Sequence, residues 1–277
     1  MTVRRLLSLL GLAVCVTVLT GCGARDTLSL DPVANAATKT ADTDSARVAF
    51  NATINVGTVG TMTMHGRGIY DGRSKTGWMN MNFSLPAGAQ GGLSGNQSME
   101  MIYDAHDGLV MYMRSPLFDQ VANGKWIKMD LEKLAKQAGV DLGAVMNANQ
   151  ADPNQTLRML MASSGARVSG SDTIRGVATT RYSFRVDLAQ LAKENKELRD
   201  SLDQVIQMTG VDSYPAEAWI DRQGRVRRLK VAMQMSTPQA GAMTMTLTED
   251  LYGFGSRAEV YPPAGDQVID ISALAGG

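Results

Sequence analysis

The feature that most constrains this chain is an alternation of apolar and polar side chains at period two, which begins near Ser45 and recurs almost to the C-terminus. Along Ser45–Val56, the residues Val48, Phe50, Ala52, Ile54 and Val56 fall on one side, and Arg47, Asn51, Thr53 and Asn55 on the other. Successive side chains of an extended strand point to opposite faces, so the pattern describes a strand with one buried and one wet face. It returns over residues 61–70, 75–85, 98–104, 109–114 and 125–130, punctuated by the turn formers Asp71-Gly72, Asp107-Gly108 and Asn123-Gly124. Strands joined by such short turns form an antiparallel meander.

Helical spacing interrupts the strands. Leu131, Leu134, Ala135 and Ala138 recur at intervals of three and four, and Asp152-Pro153 opens a second helix with Leu157, Leu160 and Met161 turned inward. After strands at 167–171 and 177–187, residues 188–208 carry the stripe Leu188, Leu191, Leu198, Leu202 and Val205, which must pack on a neighbour. That helix is a scaffold element covering a sheet face. Strands resume at 216–221, turn at Gln223-Gly224, and continue at 226–235 and 243–251, while residues 268–274 add an edge strand or drape over the sheet.

The N-terminus is of a different kind. Arg4 and Arg5 precede the apolar run from Leu6 to Leu19, which is shorter than the roughly 20 residues a membrane-spanning helix needs. A basic start, an apolar stretch and a small-residue site make a secretion signal. The tetrapeptide Leu19-Thr20-Gly21-Cys22 resembles the lipobox of bacterial lipoproteins, which implies cleavage after residue 21 and lipid attachment to the Cys22 sulfur. Several acyl chains on one residue hold a protein stably at a bilayer, each buried methylene contributing about 0.8 kcal/mol. The alternative is an ordinary signal peptide followed by an incidental cysteine. The expected organisation is a signal peptide over 1–21, a lipidated Ala/Thr/Asp-rich flexible tether over 22–44, and a single domain over 45–277, on the extracytoplasmic face of the cell membrane.

Only Cys15 and Cys22 occur, so the domain forms no internal disulfide and its stability comes from burial. Basic and acidic residues balance at 27 each, which gives nucleic acid no electrostatic footprint. The chain holds 2 histidines, His65 and His106, each at a strand end or turn and outside any catalytic motif. No HExxH, GxSxG, GxxxxGK[ST] or GxGxxG occurs. The expectation is therefore a protein without catalytic residues, metal or cofactor.

What the sequence has instead is methionine, 18 against 5 phenylalanines. The methionines come in pairs two residues apart: Met62/Met64, Met79/Met81, Met99/Met101, Met111/Met113, Met233/Met235 and Met243/Met245. Both members of a pair point to the same face of their strand. Methionine is flexible and polarizable and adapts to irregular apolar shapes, which suits a pocket for acyl chains; it would equally fill a closed core. Alternation alone leaves both open.

Several segments carry a resemblance to a known family. They are Gly176-Val-Ala-Thr-Thr-Arg-Tyr-Ser-Phe-Arg-Val-Asp187, Pro215-Ala-Glu-Ala-Trp-Ile-Asp-Arg-Gln-Gly-Arg-Val-Arg-Arg-Leu229, Tyr252-Gly-Phe-Gly255 and Val260-Tyr-Pro-Pro263, with Gly124-Lys-Trp-Ile-Lys-Met-Asp130 and the Asp152-Pro153 helix start. With the lipobox, they make the chain similar to the mycobacterial cell-envelope lipoproteins that include LppX and LprG, and to the LolA-like lipoprotein carriers. The resemblance implies an α+β fold in which a strongly curved antiparallel sheet, a half-barrel, carries helices across its concave face over an apolar cavity for acyl chains. It implies Met79, Met81, Phe83, Met99, Met101, Met111, Met113, Met233 and Met235 as the lining. A hairpin would set Trp219 on one face and Arg225, Arg227 and Arg228 along the other, and the glycine-rich insert over 87–95 would form a loop at the rim.

Two functions follow as expectations. One is a non-enzymatic carrier whose partners are a lipid or glycolipid with acyl chains and, through Cys22, the membrane. The other is an envelope sensor or protein-interaction module with a filled core.

Overall fold

A computed structural model describes residues 32–57, 60–86, 95–137, 160, 163–194, 199–237 and 241–271. The alternating segments form one sheet of 12 strands in the order β12-β6-β5-β4-β3-β2-β1-β11-β10-β9-β8-β7. These are β1 (Ser45–Val56), β2 (Gly60–Asp71), β3 (Thr76–Leu85), β4 (Gly95–Asp104), β5 (Val110–Arg114), β6 (Trp126–Asp130), β7 (Ser163–Ile174), β8 (Val177–Asp187), β9 (Ser213–Asp221), β10 (Val226–Thr237), β11 (Gly241–Tyr252) and β12 (Val268–Asp270). The helices are α1 (Pro32–Ala41), α2 (Asp119–Ala122), α3 (Leu131–Gln137), α4 (Leu188–Glu194) and α5 (Arg199–Thr209). The architecture is the expected α+β half-barrel, a sheet left open between edge strands β12 and β7. All neighbours pair antiparallel except β12, which joins β6 in parallel.

Two meanders build the sheet. One runs outward from β1 to β6 and the other from β7 to β11, and they meet where β1 pairs with β11, from Arg47 opposite Tyr252 to Val56 opposite Met243. Register shifts between Val226 and Arg228 and within β7 between Ser164 and Gly170 insert extra residues, which bend strands and raise local twist. In the other half, the register runs unbroken and glycines make room for aromatic rings. A Cβ on Gly66 would lie 2.5 Å from the Phe50 ring, and one on Gly77 would collide with the Tyr103 ring, so each aromatic occupies the space that a side chain would fill.

The closed core sits on one face of β8–β11 and β1. Val48, Phe184, Val186, Tyr214, Ala216, Ala218, Leu229, Val231 and Leu251 are all buried there, roofed by α1, by Leu160 and by Leu188 of α4. Leu202 and Ile206 of α5 pack against the same cluster.

The sequence expectation of a flexible tether as far as Asp44 is corrected here: residues 32–41 are helical, and Val33 and Ala37 are 0 % exposed. The residues that read as low-complexity are small enough to let α1 lie close on the sheet. Thr40 fixes it there, since its hydroxyl donates to the Ala36 carbonyl at 2.6 Å and accepts the buried Val226 N–H at 2.8 Å. The continuous helix expected over 188–208 is instead two, α4 and α5, which pack against each other. The helix expected from Asp152-Pro153 lies outside the described residues apart from Leu160, as do Cys22, the signal segment and most of the glycine-rich insert.

Candidate functional site

Residues directly opposite on paired strands share a face, so the register places every methionine pair. From Gly68, the row runs across Met79, Met101 and Met113 to Ile127. The next row passes from Gly66 through Met81 to Met99, and a third joins Met64 to Phe83. Tyr103 stands opposite Met111, which stands opposite Met129. On the far side of β1, Ala52 faces Leu247 and Ile54 faces Met245, which pairs with Met233 as Met243 pairs with Met235. Since Val48 faces both Gly68 and Leu251, the methionine field and the closed core are one continuous inner face.

All nine candidate lining residues, Met79, Met81, Phe83, Met99, Met101, Met111, Met113, Met233 and Met235, therefore stand on this inner face, and all are half-buried. Met79 and Met233 touch the closed core; the others lie beyond it. Sequence reading omitted Met129 and Tyr103 from the set, although Met129 alternates with Ile127 in β6 and was accessible to the same argument. Tyr103 stacks on Tyr70 with ring centroids 5.7 Å apart across Gly77, in the row next to Met79 and Met101. The one carboxylate of β1, β10 and β11 on this face is Glu249, opposite Phe50 and Leu229.

The outer face carries most of the charge. The hairpin expectation for Trp219 is corrected: the bulge at Arg227 brings Arg228 directly opposite Trp219, so both lie on the outer face, Arg228 5.9 Å from the indole. Arg181 flanks the same ring at 6.0 Å, and Trp219 Nε1 donates to Asp172 Oδ2 at 2.8 Å. Arg225 and Arg227 turn to Asp221, at 3.2 and 2.7 Å, and to the Phe254 ring. Burial pushes the Asp221 carboxyl up, but the hydrogen bond from the Arg225 N–H and the guanidinium groups of Arg227 and Arg225 outweigh it and hold the group below the usual carboxylate range. Asp250 pairs with Arg228 at 2.6 Å and Arg175 at 3.0 Å, tying the β7–β8 turn to β10 and β11. These groups brace the sheet.

Within the core, burial pushes the Tyr214 phenol up to about 12, as expected of a hydroxyl kept from water and not of an acid–base group working near neutrality. Both histidines are exposed; His65 stands on the outer face opposite Asn51, and His106 Nδ1 lies 2.6 Å from Asp104. Among the described residues, no group of His, Cys, Asp and Glu is placed to hold a metal ion, and no helix is long and apolar enough to cross a membrane.

No family model matches this chain. Among solved structures, it is similar to LprF from Mycobacterium bovis, with a TM-score of 0.48 and 14 % identity over 84 % of this chain and 96 % of that one. It is also similar to the lipoprotein LppX of Mycobacterium tuberculosis, with a TM-score of 0.41 and 12 % identity over 83 % of this chain and all of that one. A LolA superfamily protein from Nitrosomonas europaea gives a TM-score of 0.23 and 9 % identity, covering 83 % and 93 %. In sequence, the chain is 25 % identical over 155 residues to an uncharacterized 31.2 kDa protein of Streptomyces griseus, a stretch covering 54 % of this chain and 49 % of that relative. The chain thus spans about half the length of the curated relative it matches.

Proposed function

We propose that this chain is a lipoprotein of the cell envelope, tethered to the membrane through Cys22, which binds acyl chains on its inner face without catalysing a reaction. The observation that carries this reading is the gathering of all six methionine pairs onto one continuous, half-buried apolar face beside a closed core. A fixed core gains from branched side chains in defined rotamers, whereas unbranched thioethers re-pack around guests of varied length. Covering a few hundred Å² of acyl chain at about 25 cal/mol per Å² gives several kcal/mol, enough for reversible extraction of a lipid with no energy source. The cargo is a lipid or glycolipid with acyl chains. The sequence resemblance to LppX- and LprG-type lipoproteins agrees with this, and so does the lipobox-like Leu19-Thr20-Gly21-Cys22.

The test is native mass spectrometry with solvent extraction on the chain produced from Gly23, a start that retains α1 and with it every described element. Stoichiometric co-purifying phospholipid or acylglycerol is expected. A clean apo mass that also resists loading with fatty acid would overturn the proposal in favour of an interaction module with a filled core.

A further inference from the structure

The outer face has an apolar row where its neighbours are polar. Arg47, Ile69, Trp78 and Ile102 stand directly opposite one another across β1 to β4, and Ile69 and Ile102 are each only 9 % exposed. What shelters them is the segment after β11, a strap that crosses these strands before β12 pairs with β6. The strap is pinned at its start, where Gly255 N–H donates to the Ser45 carbonyl at 3.0 Å and Ala258 N–H to Asp71 Oδ2 at 3.1 Å. From Glu259 to Pro263, it makes no hydrogen bond among the described residues. The strap stands off the sheet and leaves a cleft of about 440 Å³, with Ile69, Trp78 and Ile102 as its floor and Arg257 and Tyr261 on its roof.

That volume falls in the range of small-molecule pockets, about 300–1,000 Å³. Its charge is equally informative. Arg47 and Arg257 both line the cleft, both are exposed, and neither makes an ion pair among the described residues, whereas the arginines at Asp221 and Asp250 are all engaged. Glu259 supplies the opposing carboxylate, leaving an excess of one cation. An adjoining cleft of about 510 Å³ under the same strap shares Arg257, Glu259 and Tyr261 and adds the carboxylates Asp71 and Asp104, which Arg73 and His106 engage.

We infer that the cleft between the strap and the outer face is a second ligand site, which takes a small amphipathic carboxylate. The apolar body lies along Ile69, Trp78 and Ile102, and the carboxylate reaches Arg47 and Arg257, whose planar donor forks match it. This site is on the opposite face of the sheet from the methionines, so neither proposal rests on the other.

Decanoate, with decanol as its neutral counterpart, separates the possibilities when titrated into the chain produced from Gly23. Methyl NMR of Ile69 and Ile102 and the Trp78 indole report on the cleft, and the Met81 and Met99 methyls report on the inner face. Saturable decanoate shifts are expected at Ile69, Ile102 and Trp78, with decanol at least about tenfold weaker and the Arg47→Gln/Arg257→Gln variant weakened to the same extent. Both arginines are exposed, so the fold persists in the variant, and each single substitution should weaken binding several-fold. Shifts confined to the methionine methyls, equal affinity for decanol, binding indifferent to the arginines, or no shift at all would each overturn the inference.

Discussion

The contact between Thr40 and Val226 can be removed with almost no change of shape. Thr40 is 2 % exposed and Val226 0 %, and the Val226 N–H beside the bulge goes to Thr40 Oγ1 at 2.8 Å. Thr40→Val keeps the volume, the β-branch and the helix, yet leaves that N–H without an acceptor and out of reach of water. The cost is the desolvation of one backbone donor, about 1–3 kcal/mol, with little offset from the added methyl. Thr40→Ser makes the reverse exchange, keeping the hydroxyl and losing a methyl worth about 0.8 kcal/mol. Urea unfolding followed by tryptophan fluorescence should rank wild type above Thr40→Ser above Thr40→Val. Melting points should fall by about 2–4 °C for each kcal/mol in a domain of this size. A Thr40→Val protein as stable as wild type, or more stable than Thr40→Ser, would refute the account of how α1 is held.

Three further substitutions carry expected outcomes. Asp221→Asn leaves Arg225 and Arg227 facing a neutral group and should cost stability toward the lower end of the about 3–5 kcal/mol for breaking a buried ion pair, because both arginines retain some solvent. Because the folded-state pKa of Asp221 is depressed, its contribution is full above the unfolded carboxylate range and fades as pH falls through the lower folded value, so acid unfolding curves should show less pH dependence in the variant than in wild type. Gly77→Ala drives a methyl into the Tyr103 ring and should cost about 1–3 kcal/mol in chemical denaturation; a neutral result would mean that the Tyr70–Tyr103 stack moves freely. Cys22→Ala should abolish incorporation of labelled palmitate and release the protein from membranes; retention of label would place the lipid elsewhere.

The sheet was legible because burial of one face imposes the period-two pattern wherever it holds, and β2, β3, β5, β6 and β8 start and stop within a residue or so of their alternation. The methionine face was legible for the same reason. Features that depend on contacts distant in sequence were not. Nothing in Pro32–Ala41 distinguishes a helix of small residues seated on β10 from a soluble linker, because what orders it is the Val226 N–H, far along the chain. The side on which Arg228 stands was misread because a single bulged residue reverses the parity of all that follows it. The strap over the outer face has no periodicity, and only the finished sheet shows what it covers.

The seam between the two meanders bears on how such a chain acquires its structure. Each meander is assembled from neighbours in sequence and can zip as it emerges, at little loop-closure cost. The seam cannot, because β1 must wait for β11, with Arg47 meeting Tyr252 across most of the molecule's length. Until that meeting, Phe50, Ala52, Ile54, Met243 and Met245 are edge residues of two unfinished sheets, apolar and open to foreign strands. The slowest and most aggregation-prone moment in this protein's life should therefore be the interval between release of the first strand and arrival of the eleventh, an interval in which a chaperone would have the most to protect.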